Sequence, residues 1–269
     1  MSYHLTTATG RWLDYEPTGY ISTHGAYFSP SPNLDVKDEG SESAVLLLTD
    51  AFGLHHRNSR ILADELAMRL DCDVWVPDYF QGRPLADMNT MSIVPGVKMT
   101  ICDWIRLMID HVPRIRTLMH SRPKVVDAKL TQFIHAIQEE KNYEKIGAVG
   151  YGYGGSTAIR LAATDWIKSV VICHPGRFSV AQVKAIKVPS AWLCAEEDMF
   201  LRRKLRLQAE AELFAKRSAD SYTDFEFRDY PGTTHGFAYR PDPGSSESKA
   251  AYEAAFEQTV EWFMKTLVG

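Results

Sequence analysis

Lys145-Ile146-Gly147-Ala148-Val149-Gly150-Tyr151-Gly152-Tyr153-Gly154-Gly155 reads as a strand that turns sharply into a helix. The apolar run Lys145–Gly150 supplies the strand, and a helical pattern follows over 154–165. Glycines cluster where a chain reverses tightly or where two backbones pack closely. Two kinds of site use such a turn. One raises a nucleophile on its middle residue above the end of a sheet. The other cradles a dinucleotide phosphate, and Gly150, Gly152 and Gly155 match its G-x-G-x-x-G string. A purely structural turn is the third possibility. The middle residue here, Gly152, carries no side chain.

Working outward, strand-like runs recur at Ala44–Thr49, Asp73–Pro77, Ser169–Cys173, Ser190–Ala195 and Phe225–Asp229. Helical patterns lie between them, over Ser59–Leu70 and near 98–118, 126–141, 202–217 and 247–267. In the first, Leu62, Leu66 and Leu70 form one face and Asn58 is placed to cap the start. In the last, Tyr252, Phe256, Val260, Phe263 and Leu267 mark the apolar side. Residues 1–43 read as short strands and turns ending in a polar loop. Alternating strands and helices predict an α/β protein, with a mostly parallel central sheet and helices on both faces. One domain over 1–269 is expected, with 86–125 as a segment within it that covers a pocket.

Such sheets carry their sites at the carboxyl ends of the strands. The residues there are Asp50-Ala51-Phe52-Gly53, Asp78 to Arg83, Gly150 to Gly155, His174-Pro175, Glu196-Glu197-Asp198 and Gly232 to Phe237. A dinucleotide site needs an acid after the next strand, but Ser169–Cys173 is followed by His174-Pro175. The order glycine turn, Asp198, His235 instead matches nucleophile, orienting acid and base. In that scheme His235 is the base and Asp198 holds its ring.

The 269 residues are 45% hydrophobic and 24% charged, which suits a globular chain. A net charge of −4 disfavours a nucleic-acid partner. The apolar run Ala44–Leu48 is too short to span a bilayer, and the start Met1-Ser2-Tyr3-His4 lacks the form of a secretory signal. A cytoplasmic protein without a membrane partner is expected. Cys72, Cys102, Cys173 and Cys194 form no CxxC pair, and the nine histidines show no HxxxH or HExxH spacing. No metal and no cofactor are predicted. The basic stretch His111, Arg114, Arg116, His120, Arg122 and Lys124 reads as a solvated helix face and its following loop.

From about Gly10 onward the chain resembles the dienelactone hydrolase family of the α/β-hydrolase superfamily, in particular its fungal-type branch. The resemblance lies in Pro17-x-Gly19, Thr49-Asp50-Ala51-Phe52-Gly53, Val76-Pro77-Asp78-Tyr79-Phe80-x-Gly82-x-Pro84, Ile146-Gly147-Ala148-Val149-Gly150-Tyr151, Cys173-His174-Pro175 and His235-Gly236-Phe237-x-x-Arg240. It implies the α/β-hydrolase fold and a Cys-His-Asp site. Asp198 and His235 would take triad positions, Asp50 would be the acid that contacts the thiol, and the N–H groups of Ala51 and Tyr153 would form the oxyanion hole. The chain departs from the family at the nucleophile position, which Gly152 occupies.

Without a thiol or hydroxyl at 152, no acyl-enzyme can form by the family route. A base, its orienter and two N–H donors remain, which suits proton abstraction beside a carbonyl. Isomerisation, cyclisation, dehydration, decarboxylation or water-mediated lactone opening would follow from it. Phe52, Tyr79, Phe80, Trp104, Phe237 and Tyr239 are candidates to line a pocket for an aromatic or polyketide-like small molecule, and Arg83 and Arg240 to hold its carboxylate or phenolate. Three readings stay open: an acid–base enzyme, an ordinary Cys or Ser hydrolase whose nucleophile was changed to glycine by mutagenesis, and a non-catalytic binding protein.

Overall fold

The computed structural model describes residues 16–32, 41–85, 119–216, 223–242 and 244–269. Trp104, the helix expected near 98–118 and most of the 86–125 segment lie outside the described residues. The elements run β1 (Tyr20–Ile21), β2 (Tyr27–Ser29), β3 (Ser43–Leu48), α1 (Arg57–Leu70), β4 (Asp73–Val76), α2 (Pro123–Lys141) and β5 (Lys145–Tyr151). They continue with α3 (Tyr153–Leu161), β6 (Ser169–Cys173), α4 (Val180–Lys184), β7 (Ser190–Glu197), α5 (Arg203–Ala215), β8 (Phe225–Thr234) and α6 (Ser246–Phe263), which ends in a π turn, Met264–Val268.

All eight strands form one sheet in the order β1-β2-β4-β3-β5-β6-β7-β8. The strands from β4 to β8 are parallel, and β1 and β2 add an antiparallel edge. Alternation along each strand splits the core into two layers. Ala44, Leu46 and Leu48 of β3 pack with Leu130, Ile134 and Ile137 of α2 and Ile159 of α3. Val45 and Leu47 face the other way, towards Leu62 and Leu66 of α1 and Trp262 and Phe263 of α6. Both sides of β3 are therefore buried, which explains its unbroken apolar run.

Several boundaries differ from the sequence expectation, among them those of α1, α3 and β8. α1 starts at Arg57, capped by His56, whose Nδ1 accepts from the Asn58 N–H at 3.3 Å. Asn58 is not the cap. It is buried, and its Nδ2 donates to the Tyr239 carbonyl at 2.8 Å. α3 stops at Leu161, short of 165, while β8 runs on to Thr234 past the expected end at Asp229.

The connection from β3 leads to β4 on one side, while β5 pairs with β3 on the other. The chain direction across the sheet thus reverses at β3, and it is beyond the carboxyl ends of strands at such a switch point that open α/β sheets bind their ligands. Asp50 and Gly152 follow the carboxyl ends of β3 and β5.

Candidate active site

The turn at Gly152 has φ +51° and ψ −110°, a conformation that side-chain-bearing residues adopt only under strain. It is held from three sides. Gly152 N–H donates to the Cys173 carbonyl at 3.2 Å, and its own carbonyl accepts from Gly176 N–H at 2.7 Å and Ser156 N–H at 3.2 Å. The neighbouring glycines answer to crowding. A Cβ on Gly150 would lie 2.2 Å from the Gly154 carbonyl oxygen, and one on Gly154 would lie 2.0 Å from that of Leu48. At Gly152 the nearest atoms to a Cβ would be Asp50 Cβ at 3.4 Å, His235 Nε2 at 3.5 Å and Asp50 Cα at 4.0 Å.

Asp198 and His235 are brought together by strand pairing. Glu197, the last residue of β7, pairs with Thr234, the last of β8. The register shifts just before, because Glu196 stands opposite Pro231-Gly232-Thr233. Glu196 accepts the Gly232 N–H at 2.6 Å, and Thr233 Oγ1 donates to the Tyr230 carbonyl at 2.6 Å, so the bulge is pinned. Asp198 Oδ2 lies 2.8 Å from His235 Nδ1, and Oδ1 accepts from the N–H groups of Phe200 at 2.7 Å and Leu201 at 3.1 Å. Burial pushes the Asp198 carboxyl upward, but the His235 bond and charge with the two N–H donors outweigh it and hold the group below the usual range. An ionised Asp198 assigns the proton of neutral His235 to Nδ1, which leaves the lone pair on Nε2 facing Gly152.

Asp50 is buried beside the same turn. Its Oδ1 accepts from Phe52 N–H at 2.9 Å, and its Oδ2 lies 3.3 Å from Arg240 Nε. Burial lifts its pKa to about 6, against the opposing pull of Arg240, the Phe52 N–H and His235. The Arg240 guanidinium lies 4.4 Å over the Phe52 ring and is thus already engaged by a carboxylate and an aromatic face. Ala51 follows Asp50 directly, and Tyr153 opens α3, where N–H groups precede the helical ladder.

Of the other residues singled out in the sequence, Tyr153 packs on Phe80 at 5.2 Å and donates its hydroxyl to the Ser121 carbonyl at 2.6 Å. Burial pushes that phenol up to about 12. Tyr79 is buried, with its hydroxyl on the Thr49 carbonyl at 2.5 Å. Phe237 packs against Tyr230 at 4.8 Å and His174 at 5.7 Å, and Tyr239 against Tyr151 at 5.2 Å, all within the core layer of α1 and α6. Arg83 is exposed on the turn after β4. Ser156 is buried against Gly176, and its hydroxyl makes no hydrogen bond among the described residues.

Two residues against His235 went unassigned in the sequence. Phe200 and His174 each present a ring 5.1 Å from it, nearly perpendicular. His174 was visible as a strand-end residue. Burial, with His235 and Arg240 nearby, holds its pKa well below the ordinary histidine value, so it is neutral. Its φ of +34° comes with a left-handed bend between β6 and the Gly176 contact. Phe200 had no periodic signal, because it sits in the turn that Asp198 caps.

Cys72, Cys173 and Cys194 are free and buried, and burial first of all raises all three thiols, Cys72 and Cys194 to about 12. Among the described residues no group of His, Cys, Asp and Glu could hold a metal ion, and no helix is long and apolar enough to cross a membrane.

Comparison with known proteins gives a consistent result. The model of the dienelactone hydrolase family matches residues 34–267. Hydrolase pyvD of Aspergillus violaceofuscus is 28% identical over 230 residues, 86% of this chain and 84% of that one. Hydrolase tropI of Talaromyces stipitatus is 29% identical over 226 residues, 84% and 82% of the two chains. The crystal structure of P91, a dienelactone hydrolase-like promiscuous phosphotriesterase from metagenomic libraries, superimposes with a TM-score of 0.59 at 17% identity, over 89% of this chain and 91% of that one.

Proposed function

The chain belongs to the dienelactone hydrolase family, and from that premise we propose that it converts a small carbonyl or lactone compound by acid–base chemistry without a covalent intermediate. One observation carries the reading: His235 Nε2 stands 3.5 Å from the place of a Gly152 Cβ while Nδ1 is held by Asp198. That is a base with its orienter, aimed at a position that offers no nucleophile. His235 removes a proton beside the substrate carbonyl, and the freed electron pair moves onto the carbonyl oxygen. The N–H groups of Ala51 and Tyr153 stabilise the oxyanion. The same base can instead activate a water for lactone opening. Gly152 stands at the family's nucleophile position in this reading, and the substrate is an aromatic or polyketide-like small molecule.

The test is a panel of small aromatic and polyketide-derived lactones, enones and β-keto compounds, with parent protein and His235→Ala. A base of this kind contributes about 10²-fold or more to the rate, so turnover should fall by at least that factor while the melting temperature holds. Equal turnover by both proteins removes His235 as the base. Binding without any conversion favours a non-catalytic binding protein. The strained backbone at 152 supports one further reading, a hydrolase whose Cys or Ser was replaced, because glycine keeps the conformation such a nucleophile would need.

A further inference from the structure

The sheet ends in β1 on one side and β8 on the other. β1 is two residues long, too short to template another strand. β8 is ten residues long, and no strand lies beyond it among the described residues. Pro231 and the bulge blunt its carboxyl half, but Phe225–Asp229 is regular strand. The phase of that stretch follows from its inner side. Ser190 N–H donates to the Asp224 carbonyl at 3.0 Å, and Ser190 stands opposite Phe225. In a parallel ladder this bond turns the N–H and C=O of Glu226, and then of Arg228, towards β7. Those of Phe225, Phe227 and Asp229 therefore point outward, a row of donors and acceptors along the edge.

We propose that β8 is a self-association surface, on which a second copy of this chain pairs antiparallel about a two-fold axis through Phe227. Phe227 then exchanges both hydrogen bonds with the partner's Phe227, and Phe225 does so with the partner's Asp229. Glu226 lies opposite the partner's Arg228, and Arg228 opposite the partner's Glu226, at the positions where facing side chains come closest. Both residues are exposed, and both lie on the α6 face of the sheet, where Gln258 Nε2 donates to Glu226. The charges of the strand are self-complementary in this alignment alone. A slip of two residues either way sets Glu226 against its own copy or Arg228 against its own, and like charges directly opposite repel. On the other face Phe225 and Phe227 are half-buried, with Phe227 stacked on Trp192 at 4.9 Å. Leu207 of α5 is 50% exposed and lines a hollow with Asp229 and Pro231 at the same edge. These apolar groups flank the pairing line and would lose contact with water there. Self-association of this kind is independent of the acid–base chemistry proposed above.

The test is the mass of the full chain in solution, by light scattering after size exclusion over a range of concentrations. It compares the parent, Arg228→Glu and the double variant Glu226→Arg with Arg228→Glu, with folding checked by circular dichroism and thermal melting. The parent should be a dimer at micromolar concentration. Arg228→Glu sets two carboxylates opposite each other on both sides of the axis and should weaken the dimer by at least about tenfold. The double variant should restore it, because each new arginine meets a new glutamate. Hydrogen exchange reports the place: the Phe227 amide should be protected in the parent dimer and open in Arg228→Glu. A monomeric parent, an Arg228→Glu dimer as tight as the parent's, or a folded double variant no tighter than Arg228→Glu would each overturn the proposal. If the double variant does not fold, the parent's Phe227 amide decides, since rapid exchange there within a dimer would place the interface elsewhere.

Discussion

At the scale of single residues, Gly152 and Asp50 make opposite kinds of demand. The Cβ of Gly152→Cys would stand 3.5 Å from His235 Nε2, and its thiol would sit beside that imidazole and at the N-terminus of α3, two features that favour thiolate. The turn already has the required backbone, so the cost is the strain of a side chain at φ +51°, about 1–2 kcal/mol. The variant should cleave p-nitrophenyl acetate faster than the parent and show an acyl-enzyme by intact mass. A folded variant with neither property would mean that the surroundings no longer suit covalent hydrolysis. Asp50 is instead buried where its charged form is disfavoured, and its pKa stands near 6 against 3.8 for a free carboxyl. Because the folded value is the higher one, its contribution is full below about pH 3.8 and is lost as pH rises through about 6. Relative to Asp50→Asn, the parent should therefore lose about 2 kcal/mol between about pH 4 and pH 7, read from urea unfolding at each pH. A difference that is flat or grows with pH would show that Arg240 wins over burial. His235 and Asp198 were legible because strand-end acids and histidines are few. The pairing of Asp50 with Arg240 was not legible, since no periodicity links positions so far apart.

At the scale of elements, the strands were easiest to place, because those buried on both faces read as continuous apolar runs. β8 was the exception. Pro231-Gly232 looks like a terminator, yet it forms the bulge that Glu196 pins, and pairing resumes at Thr234. A bulge is a property of two strands, so one strand's sequence does not announce it. The cap of α1 was missed for a similar reason: Asn58 has the usual capping chemistry but is drawn to the Tyr239 carbonyl, and His56 takes the role. The contact between β3 and α3 makes the sharpest prediction at this scale. A Cβ at 154 would lie 2.0 Å from the Leu48 carbonyl oxygen, at the end of β3 where Leu48 still pairs with Gly150 of β5 and the backbone has little freedom to yield. Gly154→Ala should cost about 4 kcal/mol or more and appear as loss of soluble, cooperatively melting protein. Gly232→Ala has open space around it and should cost only its unfavourable φ, about 1 kcal/mol. Similar melting temperatures for the two variants would contradict the close packing of α3 on β3.

At the scale of the whole molecule, the alternation of strands and helices was enough to foresee a mostly parallel sheet with a layer on each face. The motif strings narrowed it to one family. What stayed hidden was convergence: Phe200 and His174 reach His235 only because three strand ends meet, and each looks ordinary in its own segment. The same convergence has a consequence for how the chain can be altered. Asp198 and His235 are 37 positions apart, yet their spacing is set by the hydrogen-bonded ends of β7 and β8 and not by the path between them. The sequence distance between them is therefore free to vary in a way that their spatial distance is not. A change of length that keeps the Phe200 and Leu201 N–H groups on Asp198 and leaves the buried Ala209 and Leu213 of α5 in the core still brings the imidazole to its carboxylate.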